Sequence, residues 1–236
     1  MSETARTAVV IPTRDEAATI GAVVGEIPRA LAVEIIVADG GSRDATVAAA
    51  RAAGARVIAI DGPGYGWACA AGAAAADARA DIIAFLDGDG ADRGDLLGRL
   101  VGPIVAGTHD FVLASRTLGE RAAGAMLWHQ VLAGRLIGAV LAARTGQRYT
   151  DMCAFRAIRR DALAALGMCE SGYGWNVEMQ IRAARAGLRV VEVPMPYRRR
   201  AGGRSKVAGS LAGTLKAGAR ILSVVWRLAG PGWPLG

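Results

Sequence analysis

The sequence predicts an α/β domain with a mostly parallel sheet flanked by helices, and three observations predict it. Short β-branched runs alternate with alanine-rich helical segments as far as Arg116. Each apolar run stops at a cluster of glycine, proline or acidic residues, and in such sheets ligands bind outside the carboxyl ends of the strands. At 236 residues the chain can bury one substantial core.

The elements follow in order. "TAVVIP" (7–12), "VEIIVADGG" (33–41), "ARVIAI" (55–60), "ADIIAFLD" (80–87) and "HDFVLASR" (109–116) read as strands ending in turn formers. Between them, 15–27, 43–54, 66–78 and 93–107 have helical character. Pro12 to Glu16, Asp39 to Ser42, Gly62 to Gly66 and Asp87 to Asp92 therefore follow the first four strands, and all four clusters should face one crevice.

Beyond Arg116 the alternation stops. Residues 125–142 are apolar almost all round but interrupted by His129, Gln130 and Arg135. A spanning helix needs about 20 predominantly apolar residues, so this run reads as a buried helix, a pair of short ones, or a helix lying on a bilayer. From Ser210 to Ala229, Leu211, Leu215, Gly218, Leu222, Val225, Trp226 and Ala229 share one helical face, with Lys216, Arg220 and Arg227 opposite. That is the pattern of an interfacial anchor, or of a helix packed on the domain with its charges in water. We divide the chain into 1–207, the α/β domain, and 208–236, a basic amphipathic segment.

Charge and composition narrow the classes of function. The formal net charge is +7, yet between Val193 and Gly236 there are eight Lys or Arg and no acid, which leaves 20 basic and 21 acidic residues in the first 192. A near-neutral domain with a basic tail expects an anionic partner. The tail has no interleaved aromatics beyond Tyr197 and Trp226, which argues against nucleic acid. Cys69, Cys153 and Cys169 are odd in number and lack metal-binding spacing, so reduced thiols are expected. "MSETARTAVVIP" has neither a basic region nor an apolar core of a leader, so a cytoplasmic protein is expected.

The densest chemical signal is "IIAFLDGDGAD" (82–92), which aims Asp87, Asp89 and Asp92 out of one strand end. Carboxylates this close raise one another's pKa. A divalent cation relieves them, and Mg²⁺ is typically held by one or two carboxylates plus substrate phosphates. Asp87 and Asp89 suit a metal bridging a diphosphate, while Asp92 and Asp95 suit the start of a helix.

Seven stretches in order, "VVIPTRDEAATI", "EIIVADGGSRDAT", "GYGWACAAG", "AFLDGDGADR", "VLASR", "YTDMCAFRAIRRDAL" and "GYGWNVEMQIRAARAGLRVVEVPMPYRRRAGGRSKV", resemble a family 2 glycosyltransferase with the Rossmann-like GT-A fold. The branch they are most similar to is that of the dolichyl- and polyprenyl-phosphate mannose synthases. The resemblance spans about residues 8 to 207. It implies a donor pocket lined by Pro12, Thr13, Glu16, Asp39, Gly66 and Asp87, with Asp39 accepting hydrogen bonds from the base. It implies Mg²⁺ or Mn²⁺ on Asp87 and Asp89, stabilising the departing nucleoside diphosphate.

A phosphate acceptor needs cations to orient it more than it needs a base. Arg116, Arg200, Arg204 and Lys206, with Ser205 as a hydroxyl donor, form a natural clamp because guanidinium forks match phosphate oxygens. Asp89, Glu178 and Arg116 are the catalytic candidates, Glu178 as base for a hydroxyl acceptor or as an orienting group for a phosphate. The resemblance implies that "RRRAGGRSK" (198–206) closes over donor and acceptor, and Asp151 is expected to pair with Arg156 or with this closing loop, or to form a structural salt bridge.

The resemblance thus implies an inverting transfer of a hexose from a UDP- or GDP-linked sugar to a polyprenyl phosphate. It places that reaction at the cytoplasmic face of a membrane, with the protein held peripherally on an anionic surface. Transfer to a saccharide or small-molecule hydroxyl, and a non-catalytic nucleotide-sugar or membrane-binding domain, are the alternatives. Two positions depart from the branch's pattern: Ala91 stands where a Gln often joins the metal site, and Gly40 stands for the second aspartate of DDGS.

Overall fold

The N-terminal β-branched run forms β1 (Thr7–Thr13), and its alternating side chains divide the core in two. Ala8 and Val10 enter one apolar cluster, Val9 and Ile11 the other. The structure, a computed structural model, describes residues 6–62, 64–126, 128–202 and 211–229. Helix α1 (Ile20–Glu26), β2 (Ala32–Asp39), α2 (Thr46–Ala52), β3 (Arg56–Ala59), α3 (Tyr65–Ala75) and β4 (Ile82–Phe85) continue the expected alternation. A 3-10 turn (Gly94–Leu96) leads into α4 (Leu97–Val105), followed by β5 (Phe111–Ser115).

The alternation does not end there. After α5 (Trp128–Thr145) come β6 (Arg156–Arg159), α6 (Arg160–Ala165), α7 (Trp175–Arg185), β7 (Val190–Pro194) and α8 (Leu211–Ala229). The seven strands form one sheet in the order β3-β2-β1-β4-β6-β5-β7, parallel except for β6, which runs antiparallel to both neighbours. The sequence hides β6 because it begins and ends with arginine. Arg156 is nonetheless fully buried, donating to the carbonyls of Cys153 and Asn176, while Arg159 pairs with Asp110.

Residues 125–142 contribute to one long helix rather than two. Ile137, Gly138 and Leu141 turn inward, and a Cβ at Gly138 would lie 2.0 Å from the Tyr149 carbonyl oxygen, so only glycine admits this approach. Trp128, Leu132, Leu136 and Val140, spaced by four, stay exposed. On α8, Val224, Val225 and Leu228 are buried, whereas Leu222 and Trp226, from the apolar face read in the sequence, point outward. Arg220 and Arg227 are not simply in water, since both reach Glu170. Among the described residues no helix is long and apolar enough to cross a membrane.

Candidate active site

Strand register brings the sequence clusters together. Thr13 pairs with Asp39 across β1 and β2, and the Gly40 N–H donates to the Thr13 carbonyl at 2.9 Å. The Thr19 hydroxyl donates to the Gly88 carbonyl at 2.7 Å, tying the turn after β1 to the turn after β4. Pro12 is half-buried, and Thr13, Glu16 and Asp39 are buried at this edge of the sheet.

Asp39 caps its own turn. Its Oδ2 accepts from the N–H groups of Gly41 (3.2 Å) and Ser42 (3.0 Å), and the Ser42 hydroxyl donates to Oδ1. An ionised carboxylate offers about four acceptor positions, so one remains for a donor group brought by a ligand. At Gly66 a Cβ would lie 2.2 Å from the Glu170 carbonyl oxygen, because the start of α3 rests on the 170–171 backbone.

The three carboxylates after β4 differ in surroundings. Burial raises the Asp87 carboxyl to about 7, with Asp89 and Asp92 adding their repulsion. Burial likewise raises Asp92 to about 6, partly offset by the nearby Arg116 guanidinium. Asp89 is engaged directly: Oδ1 accepts from the Ala91 N–H at 2.9 Å, and Oδ2 meets the Arg200 guanidinium at 2.9 and 3.1 Å. Arg200 also lies 3.6 Å from Glu16 Oε1, and the Ala201 N–H donates to the Asp89 carbonyl. The segment around Arg200 therefore crosses the crevice. Arg204, Ser205 and Lys206 lie outside the described residues.

Arg116 is paired by a fork. Its Nε and Nη2 donate to the two oxygens of Asp151 at 2.7 and 2.6 Å, and its own backbone N–H donates to Asp151 as well. The guanidinium stacks 5.0 Å over the Tyr197 ring. Asp151 thus takes Arg116 rather than Arg156, which corrects the Arg156 pairing. Glu178 is 0% exposed; it accepts from the N–H groups of Cys169 and Glu170 and pairs with Arg182 at 2.8 Å. This carboxylate holds the 169–170 backbone and is not open to the crevice.

Tyr197, Tyr65 and Glu170 escape sequence reasoning. Tyr65, in the first turn of α3, lies beside Asp87; burial raises its phenol, and the Asp87 charge adds to that. Only the position of "PY" just before "RRR" hints at Tyr197, and nothing local marks Glu170.

Among the described residues no set of three or more His, Cys, Asp and Glu side chains converges as a protein cage for a metal. The donor set nevertheless fits a hard divalent cation. Asp87 and Asp89 supply two oxygen donors in a place with surplus negative charge, the share Mg²⁺ or Mn²⁺ takes from protein when phosphate oxygens complete the shell.

Comparison with known proteins agrees with this geometry. Residues 8–167 match the model of the family described as Glycosyl transferase family 2. The chain is 37% identical over 214 residues to an uncharacterized glycosyltransferase of Mycobacterium tuberculosis, covering 89% of this chain and 93% of that one. It is 28% identical over 227 residues to the polyprenol monophosphomannose synthase of Mycolicibacterium smegmatis, covering 88% and 83%. Among solved structures, the glucosyl-3-phosphoglycerate synthase of Mycobacterium tuberculosis, in complex with Mn²⁺, UDP and glucosyl-3-phosphoglycerate, superposes with a TM-score of 0.77 at 26% identity, covering 96% of this chain and 80% of that one.

Proposed function

As this chain belongs to glycosyl transferase family 2, we propose that it transfers a hexose from a UDP- or GDP-linked sugar to a polyprenyl phosphate. The observation that carries the acceptor is a cleft of about 510 Å³ at the start of α5. Arg121 and Arg135 line it together with Met126, Trp128, Val131 and Leu132. An apolar wall with two guanidinium groups suits a chain bearing a phosphate. The cleft adjoins the strap over the crevice: the Ala122 N–H donates to the Tyr197 carbonyl, and Arg199 donates to the Ala123 carbonyl at 2.5 Å.

In this reading Thr13, Glu16 and Asp39 receive the nucleoside. Asp87 and Asp89 would hold Mg²⁺ or Mn²⁺, which would supply positive charge for the departing diphosphate. The Asp89 oxygen that meets Arg200 cannot serve a cation at the same time. Arg200 is then released toward the phosphates of donor or acceptor. Arg116, fixed by Asp151, keeps its remaining edge and positive charge near Asp92 and Tyr197. A phosphate oxygen attacks in line without an enzyme nucleophile, which gives inversion. Glu178 positions backbone in this scheme and takes no proton.

The exposed stripe of α5 and the outward Leu222 and Trp226 of α8 support contact with a bilayer, and neither 121–150 nor 193–236 contains an acidic residue. A second reading, a soluble phosphorylated acceptor, is favoured by the likeness to the phosphoglycerate enzyme. The deciding experiment incubates pure protein with Mn²⁺ and a panel of UDP- and GDP-sugars, adding either a short polyprenyl phosphate or 3-phosphoglycerate. Lipid-dependent release of nucleoside diphosphate is expected. Release that depends only on phosphoglycerate would replace the lipid reading, and none with either would remove both.

A further inference from the structure

Glu170 is a fully buried carboxylate that the chemistry above does not use. Its Oε1 accepts from Arg220 Nε at 2.8 Å and from the Gly172 N–H at 3.0 Å, and Arg227 approaches Oε2 at 3.5 Å. Both arginines come from α8, and their side chains are about half exposed. A carboxylate so placed depends on its counter-charge, because an ionised group without one is costly to keep away from water.

The loop that carries Glu170 lies between α8 and the proposed donor pocket. On the α8 side, a Cβ at Gly174 would lie 2.6 Å from a Val224 methyl carbon. On the pocket side, Cβ atoms at Gly64 and Gly66 would lie 2.1 and 2.2 Å from the carbonyl oxygens of Ser171 and Glu170. The Trp67 N–H donates to the Ser171 carbonyl at 3.0 Å. The first turn of α3 therefore rests directly on residues 170–171, and that turn places Tyr65 beside Asp87.

We propose that Glu170 is a positioning residue for the donor pocket and that α8 supplies the charge that keeps it in place. The basic C-terminal helix is then a working part of the nucleotide site, beyond any role on a surface. This inference rests on the donor reading above, not on the identity of the acceptor.

The test measures Mn²⁺-dependent UDP and GDP binding by calorimetry on the full chain, alongside steady-state turnover. The parent, the double variant Arg220→Ala/Arg227→Ala and the single variant Arg220→Lys are compared below the onset of each one's melting transition. The double variant should bind the preferred nucleotide about tenfold more weakly and raise donor KM to match, with kcat at saturating donor within about twofold. Arg220→Lys should recover most of that affinity. Parent-like nucleotide affinity in the double variant, or equal loss of kcat with KM unchanged, would overturn the proposal. Should the parent bind neither nucleotide with Mn²⁺, the donor reading itself falls and this inference with it.

Discussion

Two groups of carboxylates among the described residues are treated in opposite ways. Asp151, Glu170 and Glu178 sit among Arg116, Arg220, Arg227 and Arg182 and accept backbone N–H groups, so their charge is matched inside the protein. Asp87, Asp89 and Asp92 crowd one strand end with Arg200 as the direct ion-pair partner of Asp89. In the first group the carboxylates hold loops. In the second, burial pushes Asp87 and Asp92 upward, repulsion among the three carboxylates adds to it, and the Arg116 charge only partly offsets it. Burial of an acid is therefore common to both, and the balance of counter-charge separates structure from chemistry.

The sharpest way to break this contrast is to remove one acid from each group. Asp89→Ala should lower turnover by on the order of 10³-fold, the cost of losing charge stabilisation on a leaving diphosphate, with the melting temperature nearly unchanged. Glu178→Ala should do the reverse in kind, costing about 3–5 kcal/mol in denaturant unfolding because Arg182 and two N–H groups lose their partner. If Glu178→Ala were fully stable but inactive, the two groups would not differ as described.

A smaller effect concerns pH. A carboxyl whose folded pKa is raised binds its proton more tightly in the folded state, so metal-free stability falls as pH climbs from about 4 toward about 7. Asp87→Asn should remove much of that slope and stabilise the metal-free protein at pH 8 by about 1–3 kcal/mol, as read from thermal melts across pH. Excess Mn²⁺ should abolish the advantage, since cation binding favours the ionised aspartate.

The next effect tests competition at Asp89. Arg200→Gln should tighten donor-free Mn²⁺ binding by about tenfold, roughly 1.4 kcal/mol, measured by the loss of free Mn²⁺ spin signal. The same variant should turn over more slowly. The least change is expected at Asp110, held near 2 by hydrogen bonds from Arg189 and by the Arg159 charge. Because its folded pKa is depressed, its contribution is present above about pH 4 and lost as pH falls toward 2. With half-exposed arginine partners, Asp110→Asn should cost only about 1 kcal/mol at neutral pH.

Much of the sheet was legible because β1 to β5 carry short, largely apolar runs closed by turn residues. The acidic pair was legible because Asp87 and Asp89, spaced by one glycine at a strand end, have no structural excuse in local propensity, whereas Asp92 and Asp95 read as the start of a helix. Strands β6 and β7 were hidden, since pairing with neighbours far along the chain, not composition, makes "RAIR" a strand. The wheel ranked the apolar residues of α8 but left open which of Val224 or Trp226 meets the domain; Val224, Val225 and Leu228 do, and Leu222 and Trp226 point outward.

The sequence by itself determined the alternation of strands and helices, the crevice at the strand ends and the carboxylates gathered there, because each is written in contiguous residues a few positions apart. Only the tertiary structure decided which charges those carboxylates meet. Arg200 reaches Asp89 across 111 positions, Arg116 takes Asp151 across 35, and Arg220 takes Glu170 across 50. Coulomb attraction acts through space, so the partner of a buried charge is set by how the layers pack and not by what stands beside it in the chain.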